Sequence, residues 1–79
     1  MKQVRLSELI VGQEGRIVRL EAKGGFRHRL LEMGFVRGAK IEVKRVAPLG
    51  DPVEYSIKDY ELSMRRREAQ SVVVEVALA

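Results

Sequence analysis

Few side chains in this sequence are equipped for chemistry. There is one histidine, His28, and no cysteine. The serines are Ser7, Ser56, Ser63 and Ser71. A serine nucleophile needs a base and a third group that orients that base, and His28 has no evident Ser or Asp partner in the sequence. The glycine pairs are equally unpromising. Gly24-Gly25 and Gly38-Ala39-Lys40 lack the Lys-Ser/Thr that completes a phosphate-cradling loop. This inventory points away from an enzyme and gives no reason to expect a resident cofactor.

One pair has metal-ligand spacing. His28 and Glu32 stand at i and i+4 of an expected helix, so both could face one ion, as a weak Fe²⁺ or Zn²⁺ contact. Closed structural metal sites use about four ligands. Two ligands on a charged helix face are also what an ordinary solvated His beside a Glu looks like.

The remaining chemistry is charge and one apolar loop. The net charge is +4, and Arg27-His28-Arg29 and Arg65-Arg66-Arg67 carry most of the excess. Such clusters suit nucleic acid or an anionic surface, or simply a solvated face. Small barrels that bind single strands also present exposed aromatics. Here Phe26, Phe35, Tyr55 and Tyr60 all fall on inward-phased positions or at a helix end, which assigns them to the core. A proline-rich-peptide groove needs an aromatic lining, usually with Trp, and there is no Trp. Leu49 is different. It lies between Pro48 and Pro52 with Gly50 and Asp51, and it either anchors a partner from a stiffened loop or folds back onto the core.

The elements that must position these residues are short. Val4 to Leu6 read as extended. Ser7 is an expected N-cap for one helical turn that Gly12 stops. Gly12 to Gly15 form a turn, and Arg16 to Glu21 a β-branched strand. A helix then runs from about Phe26 to Met33, with Phe26, Leu30 and Met33 on one face and Arg27 and His28 on the other. Gly34 should close it in a left-handed conformation, folding Phe35 back onto Leu30. Gly38 turns the chain into strand Lys40 to Val46. There Arg45 falls on an inward phase, which calls for a bulge or an Arg that reaches solvent.

Val53 to Lys58 alternates, with Val53, Tyr55 and Ile57 inward. A tight turn at Lys58-Asp59 leads into Tyr60 to Met64. Arg65 to Gln70 make one helical turn before the last strand, Ser71 to Val76. These patterns predict a mostly β fold, a small barrel of about five strands with one short α-helix, in one domain spanning residues 1–79. A helical turn just before the final strand is typical of SH3-like barrels. Its open edges could pair between copies of the chain to give a homo-oligomer. No window approaches the roughly 20 apolar residues of a membrane span, and the N-terminus does not read as a signal peptide, so a cytoplasmic location is expected.

Four segments in order resemble the FeoA family of accessory proteins of bacterial ferrous-iron uptake. They are Leu6-Ser7-Glu8-Leu9 with Gly12 and Gly15; Arg29 to Phe35 with Gly38; Ala47 to Pro52; and Tyr60 to Arg65 with Glu68-Ala69. The resemblance spans about residues 4–76. It implies an SH3-like barrel and a regulatory or assembly role. It also implies a partner, the cytoplasmic GTP-binding region of a FeoB-like membrane transporter, which would hold the chain peripheral to the inner membrane. Asp59 stands where family members often have Gly, and Asp tolerates a left-handed turn. The domain type also resembles the C-terminal domain of iron-dependent repressors, which leaves a metal-responsive module as a further reading. No DNA-binding region precedes the barrel in this sequence, so a stand-alone accessory protein is expected. Partner contacts are expected at Leu49, Gly50, Asp51, Arg27 and Arg29.

Overall fold

The computed structural model describes residues 1–77, so the last two positions of the expected domain lie outside the described residues. Six strands form one antiparallel sheet: β1 (Lys2–Arg5), β2 (Glu14–Leu20), β3 (Lys40–Val46), β4 (Val53–Ile57), β5 (Tyr60–Met64) and β6 (Val72–Val76). Helix α1 (Gly24–Glu32) lies between β2 and β3, and the short helix α2 (Arg66–Ala69) between β5 and β6. The strand order is β1-β6-β2-β3-β4-β5.

The sheet has one strand more than the sequence pattern predicts. Lys2–Arg5 carries one apolar residue, Val4, and so lacks a readable alternation. It becomes a strand because β6 supplies a partner, with Gln3 opposite Glu75 and Val4 opposite Val74.

The core follows from alternation. Ile41 and Val43 of β3, and Val53, Tyr55 and Ile57 of β4, are buried, as are Val72, Val74 and Val76 of β6. Burying a side chain of this size is worth about 1.5–3 kcal/mol. Arg45 escapes the core through a bulge: the β3–β4 register shifts between Val43 and Arg45. Its guanidinium then reaches Glu54 Oε1 on the exposed side (3.0 Å).

The helix end forms as its residues dictate. Gly34 has φ +99°. Its N–H donates to Leu31 C=O (3.0 Å) and the Phe35 N–H to Leu30 C=O (2.9 Å). That pair of bonds is a Schellman cap, and Leu30 and Phe35 are both buried in the core. Lys58 crosses over Gly34, so that a Cβ there would sit 2.9 Å from Lys58 Cδ.

Several expectations give way to tertiary context. Helix α1 starts at Gly24, two residues before Phe26. The first helical turn is a 3-10 turn, Leu6–Glu8, and Arg5, not Ser7, precedes it as cap residue. Its cap comes from Glu8, whose carboxylate accepts the Arg5 backbone N–H (2.8 Å). Gly15 lies within β2 rather than in a turn. Its missing side chain lets β6 approach, since a Cβ would meet Glu75 O at 3.1 Å. In the β4–β5 hairpin the left-handed residue is Lys58 (φ 51°), not Asp59. Tyr60 leaves the core altogether: it opens edge strand β5 and is 51% exposed.

Candidate functional site

The loop between β3 and β4 (residues 47–52) is built to hold its tip outward. Pro48 fixes one backbone torsion, and Gly50 adopts φ +90°. The Gly50 N–H donates to Ala47 C=O (2.7 Å) and the Ala47 N–H to Pro52 C=O (3.0 Å). These two bonds close the loop on itself.

Arg66, at the start of α2, clamps the loop from outside. Its Nε donates to Gly50 C=O (2.6 Å) and its Nη1 to Ser7 C=O (3.3 Å). Its backbone N–H donates to Asp51 Oδ1 (2.9 Å), so the Asp51 carboxylate also caps α2 from a distance in sequence. One guanidinium therefore ties the loop to the 3-10 turn. Gly50 and Asp51 are half-buried and spend their polar groups on these bonds. Leu49, one residue away, is 97% exposed. It does not fold back onto the core.

Tyr55 of β4 lies close enough to feel this clamp. Burial pushes its phenol up to about 12, with Arg66 pulling the other way and Asp51 adding to the rise. Its hydroxyl is therefore neutral across the physiological range.

The second group of expected residues sits on the outer face of α1. Arg27, His28, Arg29 and Glu32 are all exposed. His28 Nε2 is 3.4 Å from Glu32 Oε2, the separation their i, i+4 spacing predicts. Among the described residues no group of three or more His, Cys, Asp or Glu side chains converges to hold a metal. Arg27 Nη1 donates to Leu20 C=O at the end of β2 (3.1 Å). The structure thus brings Leu49, Gly50 and Asp51 together at one end of β3. It places Arg27, Arg29, His28 and Glu32 on the helix that leads into the other end. The two ends are about 20 Å apart along seven residues of strand.

Two features escaped the sequence. Arg66 reads there as one of three surface arginines, and nothing local marks it as the loop clamp. Leu31 and Val36 are 39% and 42% exposed and line a depression beside α1. They were hidden because a two-turn helix gives no firm polar–apolar boundary.

Among the described residues no helix is long and apolar enough to cross a membrane. The fold defines an SH3-like β domain, with the clamped loop at one end of β3. A solved structure from Stenotrophomonas maltophilia, described as a prokaryotic SH3-domain FeoA complexed with zinc, superposes with TM-score 0.79 at 28% identity, over 89% of this chain and 87% of that one. The FeoA domain matches residues 4–76, and the chain belongs to the FeoA family. FeoA of Chlorobium tepidum aligns with TM-score 0.88 and 41% identity, covering 95% of this chain and 71% of that one. A FeoA/FeoB ferrous-iron transport fusion protein of Porphyromonas gingivalis is 53% identical over 73 residues, 92% of this chain. The chain spans only 9% of that fusion protein's length. A manganese-dependent transcriptional repressor shares the fold with TM-score 0.81 over 95% of this chain and 42% of its own, at 14% identity, which speaks for the fold alone.

Proposed function

We propose that this chain is a non-enzymatic accessory protein of ferrous-iron uptake. It docks on the cytoplasmic GTP-binding region of a FeoB-like membrane transporter and lies against the inner membrane through that partner. The observation that carries the reading is Leu49, an exposed apolar side chain on a loop whose backbone is already ordered by Arg66. Ordering a loop before binding removes an entropy cost that binding would otherwise meet. Gly50 and Asp51 shape the loop, and Arg27 and Arg29 add positive charge at the other end of β3. The joining of a FeoA segment to a FeoB transporter in one Porphyromonas gingivalis protein supports the choice of partner. In that arrangement any docking contact would form at high effective concentration.

The test is co-purification with the cytoplasmic domain of a FeoB-like transporter, with GTP hydrolysis measured in the presence and absence of this chain. Retention on the transporter domain, lost in Leu49→Asp at unchanged melting temperature, is expected. Absence of complex formation with the folded wild-type chain overturns the partner. Unchanged affinity of Leu49→Asp removes the loop from the contact.

A further inference from the structure

We infer that the depression between α1 and the far half of β2 is a second docking groove, and that its occupant is an acidic protein segment inserting one apolar side chain. The groove exists because β2 outruns its neighbour. β2 pairs with β3 only over Glu14, Gly15 and Arg16. Beyond Ile17 it continues against β6 alone, through a bulge between Ile17 and Arg19. Helix α1 and the segment after its Schellman cap border the uncovered side. Val18, Leu20, Leu31 and Val36 give the floor, with Phe35 behind them.

The rim is cationic without exception. Arg19, Arg27 and Arg37 line the groove and no acidic residue does. Arg19 is already matched by Glu21, with Nε 3.2 Å from Oε2. Arg27 spends one N–H on a backbone carbonyl and keeps its charge uncompensated. Among the described residues neither Arg27 nor Arg37 pairs with a carboxylate. An apolar floor ringed by two unmatched guanidiniums is complementary to an apolar side chain flanked by carboxylates. The concave shape favours a protein segment over a lipid surface. Leu31 and Val36 are half-sunk in the floor, whereas bilayer insertion needs apolar groups that protrude.

This surface lies at the opposite end of β3 from Leu49, and its test needs no transporter. The probe is an acetylated, amidated peptide with one Leu flanked on each side by two Glu, titrated into the ¹⁵N-labelled chain at low salt. Amide shifts are expected at Val18, Leu31, Val36 and Arg37 and not at Leu49, weakening as salt rises. Arg37→Glu should weaken the peptide about tenfold while leaving the spectrum of the free domain folded, and Leu49→Asp should leave the peptide affinity unchanged. Val36→Asp is the companion floor variant. No shift at millimolar peptide overturns the inference, as do equal shifts with a peptide carrying Lys in place of Glu. Anionic phosphatidylglycerol vesicles that perturb the same amides when the peptide does not would replace the protein segment with a lipid surface.

Discussion

The two ends of β3 solve opposite problems. At the β3–β4 end, polar groups converge on Arg66, and the loop they fix carries a side chain that touches little. At the α1 end, apolar groups converge on Leu30 and Phe35, and the helix they fix carries charges that touch little. The first end is ordered by hydrogen bonds between residues far apart in sequence. The second is ordered mainly by a local cap and core packing. The difference teaches that an exposed side chain in this domain is presented by whatever lies directly behind it. Behind Leu49 stands a guanidinium, and behind Arg27 and Arg29 stands a hydrophobic core.

That contrast can be broken most severely at the helix end. Gly34→Val places a β-branched residue at φ +99° and drives it against Lys58. A loss of about 1–3 kcal/mol is expected, read as a fall in melting temperature. An unchanged melting point would mean that the cap does not hold the helix.

Alkaline pH attacks the loop end next. The Tyr55 phenol is pushed from 10 to about 12 in the folded chain, first by burial. A group whose folded value is raised contributes stability that is complete below its unfolded value and lost as pH climbs through the folded one. Stability should therefore begin to fall near pH 10 and keep falling to about pH 12. Denaturant melts of wild type and Tyr55→Phe across that range provide the check, and the variant should lack this part of the decline.

A smaller effect is expected from Asp51→Ala, which removes the carboxylate that accepts the Arg66 N–H. The cost should be about 1 kcal/mol, the usual worth of a helix cap. Hydrogen exchange at Gly50 should quicken with it, because the same arginine holds both groups. If Gly50 exchange does not change, the clamp is not a unit.

Leu49→Asp should move stability least, by under about 0.5 kcal/mol, since the side chain packs on almost nothing. Under the proposed function its effect is read in partner binding instead. A large loss of stability would place Leu49 in the core and end the contrast between the two regions.

Legibility in the sequence tracked the range of the interactions. The Gly34 cap was readable because all its partners lie within five residues. The bulge at Arg45 was readable because a charged residue on an inward phase violates a strict two-residue period. Tyr60 misled because it keeps the phase of Leu62 and Met64, yet it begins an edge strand at a hairpin, where core cover ends. The hairpin's left-handed position was misplaced by one residue, since Lys58 and not Asp59 adopts it. The extended reading of Val4 to Leu6 caught only half of strand β1, Lys2–Arg5, because its partner strand begins about 70 residues later. At the candidate site, Leu49 stood out through its bracketing prolines. Its support did not, because Arg66 is one of many arginines until folding brings it to Gly50 and Asp51.

The sequence by itself determined the strands with clean alternation, the end of the helix and the absence of cysteine and tryptophan. Periodicity and glycine placement act within a few residues, and an absent side chain is absent in any fold. Only the tertiary structure decided which charge clamps the loop, where β2 outruns β3, and which apolar residues share a surface. The clamp, for one, depends on pairs 15 to 59 residues apart in sequence. Contacts of that range exist only after the sheet has brought its strands together, and no local pattern of residue types encodes them.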